Sequence, residues 1–178
     1  MILLRLSDFT GFELLATNTK AAVLIQQYID RYEAQYIYKL LGIDLGKLFI
    51  ADLANASQAD RFALIEDAFA IEQEPKQYVS LGMKDFLACA VLYHYIKDTQ
   101  AQHTQAGVAD SLNEAMTVSS PIDASRYAER KFNEALDTVD AIQWYCKTYA
   151  YETYPNDPTK LYPEYNGQVI NPVFSAFL

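Results

Sequence analysis

The residues best suited to chemistry in this sequence are two histidines, two cysteines and two pairs of carboxylates. His94 and His103 are nine residues apart on one predicted helix. This spacing separates them by about 13–14 Å along the helix axis, too far to bind one metal ion. His94 lies between two tyrosines in an apolar run, so we predict a core histidine hydrogen-bonded to a backbone carbonyl or a tyrosine. His103 ends the helix, where the helix dipole favours a cation.

The two carboxylate pairs, Glu66 with Asp67 and Asp137 with Asp140, lie on predicted helix faces that point to solvent. Paired carboxylates hydrolyse glycosidic bonds only in a pocket, and no pattern places either pair in one. The sequence has no ExxH repeat for a di-iron site and no HExxH, CxxC, GxSxG or P-loop motif. We therefore predict a protein that is not an enzyme and that has no catalytic residue, metal site or cofactor.

Cys89 and Cys146 are far apart in the sequence, and each lies in an apolar helical pattern. Buried free thiols that act as small hydrophobes are the favoured interpretation, rather than a disulfide. The first 15 residues contain Arg5 and Asp8 and no long apolar run. This pattern predicts neither a signal peptide nor a membrane span, and we expect synthesis in a reducing cytoplasm.

The composition is that of one folded domain, because about half of the 178 residues are apolar. Tyrosine is abundant, with 14 residues against one tryptophan. Such a surplus is typical of surfaces buried by a partner and also of the rim of an ordinary core. A net charge of −9 argues against a protein held on nucleic acid through phosphates, and it mostly indicates solubility. It does not exclude a protein that lines a path along which DNA slides.

Helical periodicity predicts a mainly α fold, a bundle of about four to five helices in residues 1–151. Residues 1–17 look irregular, with a short strand or turn near Gly11. The first helix is capped by Asn18 or Thr19 and ends near residue 41, where Gly42 fits a left-handed position. A second helix is predicted over about 46–54.

A third helix is predicted from a Ser57 cap, with Phe62, Ile65 and Phe69 at helical spacing, up to Glu74-Pro75. The region 44–74 has seven acidic and two basic side chains. The simplest interpretation is a solvated face; the functional one is a surface that repels phosphate or docks a basic partner.

The fourth helix, about 82–103, is apolar on all sides between Phe86 and Ile96, so other elements must cover it completely. A polar segment follows and predicts a projecting loop over about 104–120. The fifth helix begins at Ser120-Pro121 and continues to about Tyr151. Its apolar residues form a heptad seam suited to packing inside a bundle: Ala128, Phe132, Ala135, Val139, Ile142, Cys146 and Tyr149.

Residues 152–178 form a predicted extended tail, because four prolines exclude a helix and the segment is too short for a core of its own. Its apolar side chains make it a docking arm, folded either onto its own domain or onto a neighbour, and we favour the neighbour. The predicted contact residues of this arm are Tyr154, Tyr162, Tyr165, Phe174 and Phe177.

The segment LYHYIKDTQAQHTQAGV, residues 92–108, resembles the central region of small helical head–tail connector proteins of tailed bacteriophages. More narrowly, it is similar to versions found in phages and prophages of Bacteroidetes hosts. Residues 29–50 resemble the first helix of that group, and NPVF at 171–174 resembles its end weakly. The features shared in the central region are Tyr93, Tyr95, Thr99, Gln100, Thr104, Gly107 and Val108.

The resemblance implies a homo-oligomeric ring of about twelve copies in the neck of the virion. Such a ring lies below the portal protein, contacts a further tail or neck protein, and lets double-stranded DNA pass without specific binding. The loop residues Gln105, Gly107 and Val108 would then face the channel or the next ring, and the tail would reach the portal or an adjacent subunit.

Two other functions remain open from the residues alone. One is a partner-binding helical module of a cellular regulator, whose tail folds back between the fourth and fifth helices. The other is a helical enzyme that uses His94 with a neighbouring tyrosine or carboxylate.

Overall fold

The computed structural model describes residues 3–9, 19–55, 59–73, 76–106, 121–149 and 165–170. A short 3-10 helix at Leu6–Phe9 is followed by α1 (Thr19–Leu41), α2 (Ile43–Asp52), α3 (Asp60–Glu66), β1 (Phe69–Gln73) and β2 (Lys76–Ser80). Two long helices complete the bundle, α4 (Gly82–Ala106) and α5 (Pro121–Trp144), and α5 continues into a π-helical turn at Tyr145–Tyr149. The fold is a mainly helical bundle with one small sheet, which confirms the predicted class.

The centre of the bundle is α4, which packs between α1 and α5. Its residues Phe86 to Leu92 are all buried, as its unbroken apolar sequence predicts. Apolar residues of α5 recur at spacings of three and four, so they lie on one face of the helix. Those that the structure describes are buried: Ala128, Phe132, Ala135, Val139, Ile142 and Cys146.

The predicted third helix is wrong beyond residue 66, because residues 69–80 form an antiparallel hairpin instead. Phe69 pairs with Ser80 and Ile71 with Tyr78, so one face of the hairpin turns towards α5. On that face the Tyr78 ring stacks on Trp144 with the ring centres 4.4 Å apart. Packing against α5 therefore overrides the helical spacing of Phe69. The predicted break at Glu74-Pro75 lies outside the described residues.

Helix boundaries differ from the predictions by a few residues. The second helix begins at Ile43, three residues before its predicted start. The fourth ends at Ala106 and not at His103, so Gln105 lies in its last turn and not in the predicted loop. The fifth changes to π-helical geometry after Trp144. Tyr151 and the predicted turn near Gly11 lie outside the described residues.

The N-terminal segment is held by a buried carboxylate of α1. Glu33 is only 1% exposed, and its Oε1 accepts hydrogen bonds from the backbone N–H groups of Leu3 at 2.5 Å and Leu4 at 2.6 Å. These bonds give a partner to two backbone N–H groups that are not part of a helix or sheet. The Leu4 side chain is thereby fixed in the core, where it is fully buried.

Candidate functional site

Residues 165–170 of the tail bind to the C-terminal end of α1. The Asn166 N–H donates to the Leu41 carbonyl at 3.2 Å, and the Gln168 N–H donates to the Lys39 carbonyl at 2.8 Å. A helix leaves its last four carbonyls without a partner within the helix. The tail therefore supplies donors for two of these carbonyls, and the N–H of Gly42 satisfies a third, on Tyr38, at 2.9 Å.

A side chain of α5, that of Gln143, completes the contacts of this segment. We call the whole arrangement the tail-binding site and define it as Lys39, Leu41, Gly42, Gln143 and residues 165–170. Gln143 is 7% exposed, and its Nε2 donates to the Gln168 carbonyl at 2.9 Å. Gln168 thus both donates to α1 and accepts from α5. Its neighbour Val169 projects outward and is 80% exposed.

Tyr165 begins the bound segment and packs on the bundle. Lys147 Nζ lies over its ring, 5.6 Å from the ring centre. Its hydroxyl is buried and has no hydrogen-bond partner in the described part of the chain. Burial, assisted by the nearby Cys146, raises the pKa of Tyr165 to about 12. The residue is held mainly by apolar and cation–π contacts.

Within the single chain, Tyr165 packs on its own bundle, which is the first of the two predicted alternatives, and docking of the arm on a neighbour stays a prediction. The other predicted contact residues of the tail (Tyr154, Tyr162, Phe174 and Phe177) lie outside the described residues. So do Gly107 and Val108 of the predicted loop. Their roles stay predictions.

Sequence reasoning missed Glu33 and Gln143, although both carry a recognisable signal. Each is a polar residue within an apolar stripe: Glu33 is four residues from both Ile29 and Ile37, and Gln143 follows Ile142. A polar side chain at a core position needs a hydrogen-bond partner. The sequence does not show which segment provides it.

A second polar cluster lies between α1 and α4, around His94. Tyr36 Oη and His94 Nε2 are 2.8 Å apart, which confirms the prediction that a tyrosine holds this histidine. The Tyr32 ring stacks on the imidazole with ring centres 3.9 Å apart and planes inclined by 4°. One turn further along α4, Asp98 accepts a hydrogen bond from the hydroxyl of Tyr28 at 3.0 Å. Polar contacts thus join α1 to α4 at two levels.

Burial lowers the pKa of His94, and Lys39 and Arg31 lower it further against the opposing effect of Asp98. Burial also raises the pKa of Tyr36 to about 12, so its hydroxyl keeps its proton near neutral pH. A neutral imidazole and a tyrosine hydroxyl can bond in either direction, according to the tautomer of the ring. The arrangement joins two helices through neutral groups.

We expect His94 to make stability depend on pH. Because folded His94 binds a proton less readily than unfolded His94, the free energy of unfolding falls as pH drops from about 6.5 through the lowered folded pKa. A His94→Gln variant has no titrating group at this position. We measure the free energy of unfolding in urea near pH 7.5 and near pH 5.5. Between these two pH values it should fall more for the native protein than for the variant. Equal losses in the two proteins would contradict this expectation.

The carboxylate pairs have different surroundings. Glu66 and Asp67 both form ion pairs with Lys84, at 3.1 Å and 2.9 Å. The predicted exposure is wrong for Glu66, whose side chain is 12% exposed. It is confirmed for Asp67, as it is for Asp137 and Asp140 on α5. A carboxylate that neutralises a lysine has a structural role.

Both cysteines are free thiols and buried, as predicted. Burial raises the pKa of Cys89 to about 12 and raises that of Cys146 as well. Such thiols stay protonated, and they are poor nucleophiles.

Within the described ranges, no group of three or more histidine, cysteine, aspartate or glutamate side chains is arranged to hold a metal ion. None of the helices in those ranges is long and apolar enough to cross a membrane. No protein-family profile matches the chain, and no curated protein or solved structure is significantly similar to it.

Proposed function

We propose that this chain is a structural subunit of a phage head–tail connector, one of about a dozen copies in a ring that extends the DNA channel below the portal. The observation that carries the proposal is the docking of residues 165–170 as an extended segment. It supports the interpretation of the tail as an arm whose main chain provides affinity and whose side chains provide specificity. The mainly helical bundle is compatible with the resemblance seen in the sequence.

The described part of the tail stops at Ile170. Residues 171–178 follow it and include Phe174 and Phe177. In the proposed function these phenylalanines anchor the subunit on the portal or on an adjacent subunit, as buried aromatic residues do at many interfaces. In this proposal, the arm binds its own bundle through residues 165–170 and binds the particle through Phe174 and Phe177.

This division determines how the proposal is tested. Removing all residues after Tyr151 would also uncap α1 and leave Gln143 without its partner. A chain that ends at Ile170 keeps the tail-binding site and loses only residues 171–178. Full-length protein, this shortened chain and a Phe174→Ala/Phe177→Ala variant are used as baits in lysate of bacteria that contain assembling particles.

We expect full-length bait to capture a portal protein together with other particle proteins, and we expect the two altered baits to capture at least tenfold less. Circular dichroism and thermal unfolding should show that all three baits are equally folded. Capture of a cellular partner, or of no particle protein, by the full-length bait would overturn the connector proposal.

One observation favours the second candidate function, a partner-binding helical module of a regulator. The described tail segment lies on its own bundle, although it binds α1 and α5 and not the space between the fourth and fifth helices that this function predicted. Hydrogen exchange of the monomer at low concentration separates the two functions. Protection limited to residues 165–170 leaves 171–178 available for a particle, whereas protection through residue 178 would favour the regulator.

A further inference from the structure

The outward face of α5 carries charges of both signs in a definite order. Arg126 and Arg130 are exposed in its first half, and Glu134, Asp137 and Asp140 are exposed in its second half. Their spacings of three and four place them in one stripe along the helix. We call these five residues the α5 charge stripe. It lies opposite the apolar seam that packs on the bundle.

Contacts within α5 do not explain this order. Glu134 pairs with Lys131 at 2.9 Å and, more loosely, with Arg130 at 3.7 Å. Within the described ranges, no ion pair or side-chain hydrogen bond joins Arg126, Asp137 or Asp140 to another residue. Among the described residues, the stripe therefore has charge of both signs without a partner, separated along one helix.

The helix itself does not favour this order either. A helix dipole acts mainly on charges in the first and last turns, and the stripe lies between those turns of α5, so the dipole gives no reason for its order. The pair Arg130–Glu134 also has the less favourable orientation for an i,i+4 pair, with the cation N-terminal to the anion. The stability of the isolated helix thus gives no reason for the pattern.

The pattern is complementary to itself when a second copy of α5 lies antiparallel. With a two-fold axis close to residue 133, Arg130 lies near Asp137 of the second copy and Arg126 lies near Asp140. The two Glu134 carboxylates come close to each other at this axis, where each is neutralised by its ion pairs with Lys131 and Arg130 of its own helix. The outer charges are then separated from each other by about 21 Å along each helix, and every arginine meets a carboxylate. A parallel arrangement would put like charges together, which is unfavourable.

We propose that the free protein pairs with a second copy of itself through the α5 charge stripe, with the two helices antiparallel. This inference goes beyond the proposed function: an isologous contact closes at two copies, whereas a ring needs heterologous contacts. The pair forms through exposed charges, so it is weak and sensitive to salt. It is a reversible form of the chain outside an assembly.

Charge exchange in the full-length chain tests the proposal. Arg126→Asp/Arg130→Asp makes the stripe wholly acidic, and Asp137→Arg/Asp140→Arg makes it mainly basic. Sedimentation equilibrium measures association of each variant alone and of the equal mixture, at salt concentrations of about 0.05 M and about 0.5 M. We expect native protein to dimerise at low salt, with a dissociation constant at least tenfold higher at high salt.

Each variant alone should remain monomeric, and the mixture should form dimers at low salt. Matched controls change exposed charges elsewhere: Arg31→Asp/Lys47→Asp and Asp30→Arg/Asp44→Arg. Both controls should dimerise as native protein does. A monomeric native protein at low salt, a mixture that stays monomeric, or controls that lose association equally would each overturn the proposal.

Single cysteines test the orientation. Under mild oxidation, a mixture of Arg126→Cys and Asp140→Cys should form disulfide-linked dimers between the two variants. Arg126→Cys alone should form none, because antiparallel helices place its two copies far apart. A disulfide between two copies of Arg126→Cys would mean a parallel pair and would overturn the proposal. Both native cysteines are buried and do not interfere.

Discussion

A Gly42→Ala substitution should lower the free energy of unfolding by about 3 kcal/mol or more, because two separate penalties apply at this position. The backbone of Gly42 has φ 86° and ψ 169°, a region that residues with a Cβ rarely enter. A Cβ atom here would also lie 2.6 Å from the carbonyl oxygen of Asn166. That neighbour is backbone, so it can move only if the tail leaves α1. Urea or thermal unfolding followed by circular dichroism measures the loss.

The two penalties can be separated with a chain that ends at Glu164. Without residues 165–170 the contact with Asn166 disappears, and only the backbone penalty of about 1–3 kcal/mol remains. The substitution should therefore cost less in the shortened chain than in the full chain. In the full chain, the Gln168 amide should also lose protection from hydrogen exchange. A full-length Gly42→Ala protein as stable as the native one would contradict both the positive φ of Gly42 and its contact with the tail.

Glu33→Ala should destabilise the protein by about 3 kcal/mol. The substitution removes the acceptor for the N–H groups of Leu3 and Leu4 and leaves a space in the core beside them. Two donors that were buried or half-buried would then lack partners. Chemical unfolding measures the loss, and amide exchange of the N-terminal segment reports whether Leu4 still docks.

Two matched variants define the cause. Glu33→Gln keeps one oxygen acceptor and most of the volume, so its loss should be smaller, about 1 kcal/mol. Asp30→Ala changes an exposed carboxylate one turn earlier on α1 and should shift stability by no more than about 0.5 kcal/mol. If Glu33→Ala and Asp30→Ala have equal effects, the buried carboxylate does not hold the N-terminal segment.

The helices that pack into the core were predictable because their signals are local. The apolar seam of α5 and the unbroken apolar run of α4 determine which faces must be buried, whatever elements cover them. Gly42 was predictable as a helix end for the same kind of reason, since only its own backbone is involved. The partner of His94 was predicted only as a backbone carbonyl or a tyrosine, and the structure identifies it as Tyr36.

Tertiary packing decided the hairpin. Residues 69–73 have apolar positions that suit a helix and a strand alike, and so short a segment cannot choose from its own sequence. The strand pairing is favoured by two ring contacts with α5 and the turn that continues it: Tyr78 stacks on Trp144, and Phe69 packs edge-on against Tyr145. Both partners lie about 65 residues or more further along the chain, and no local pattern indicates such a contact.

The sequence by itself determined a mainly helical bundle, its buried faces and the apolar, proline-rich character of the tail. Only the tertiary structure decided that residues 165–170 bind to their own bundle. The reason is that the bonds from Asn166 and Gln168 to α1 use backbone N–H groups, which every residue except proline has. A site made of main-chain bonds leaves almost no trace in the residue types, so the three-dimensional positions of Leu41 and Lys39 were needed to find it.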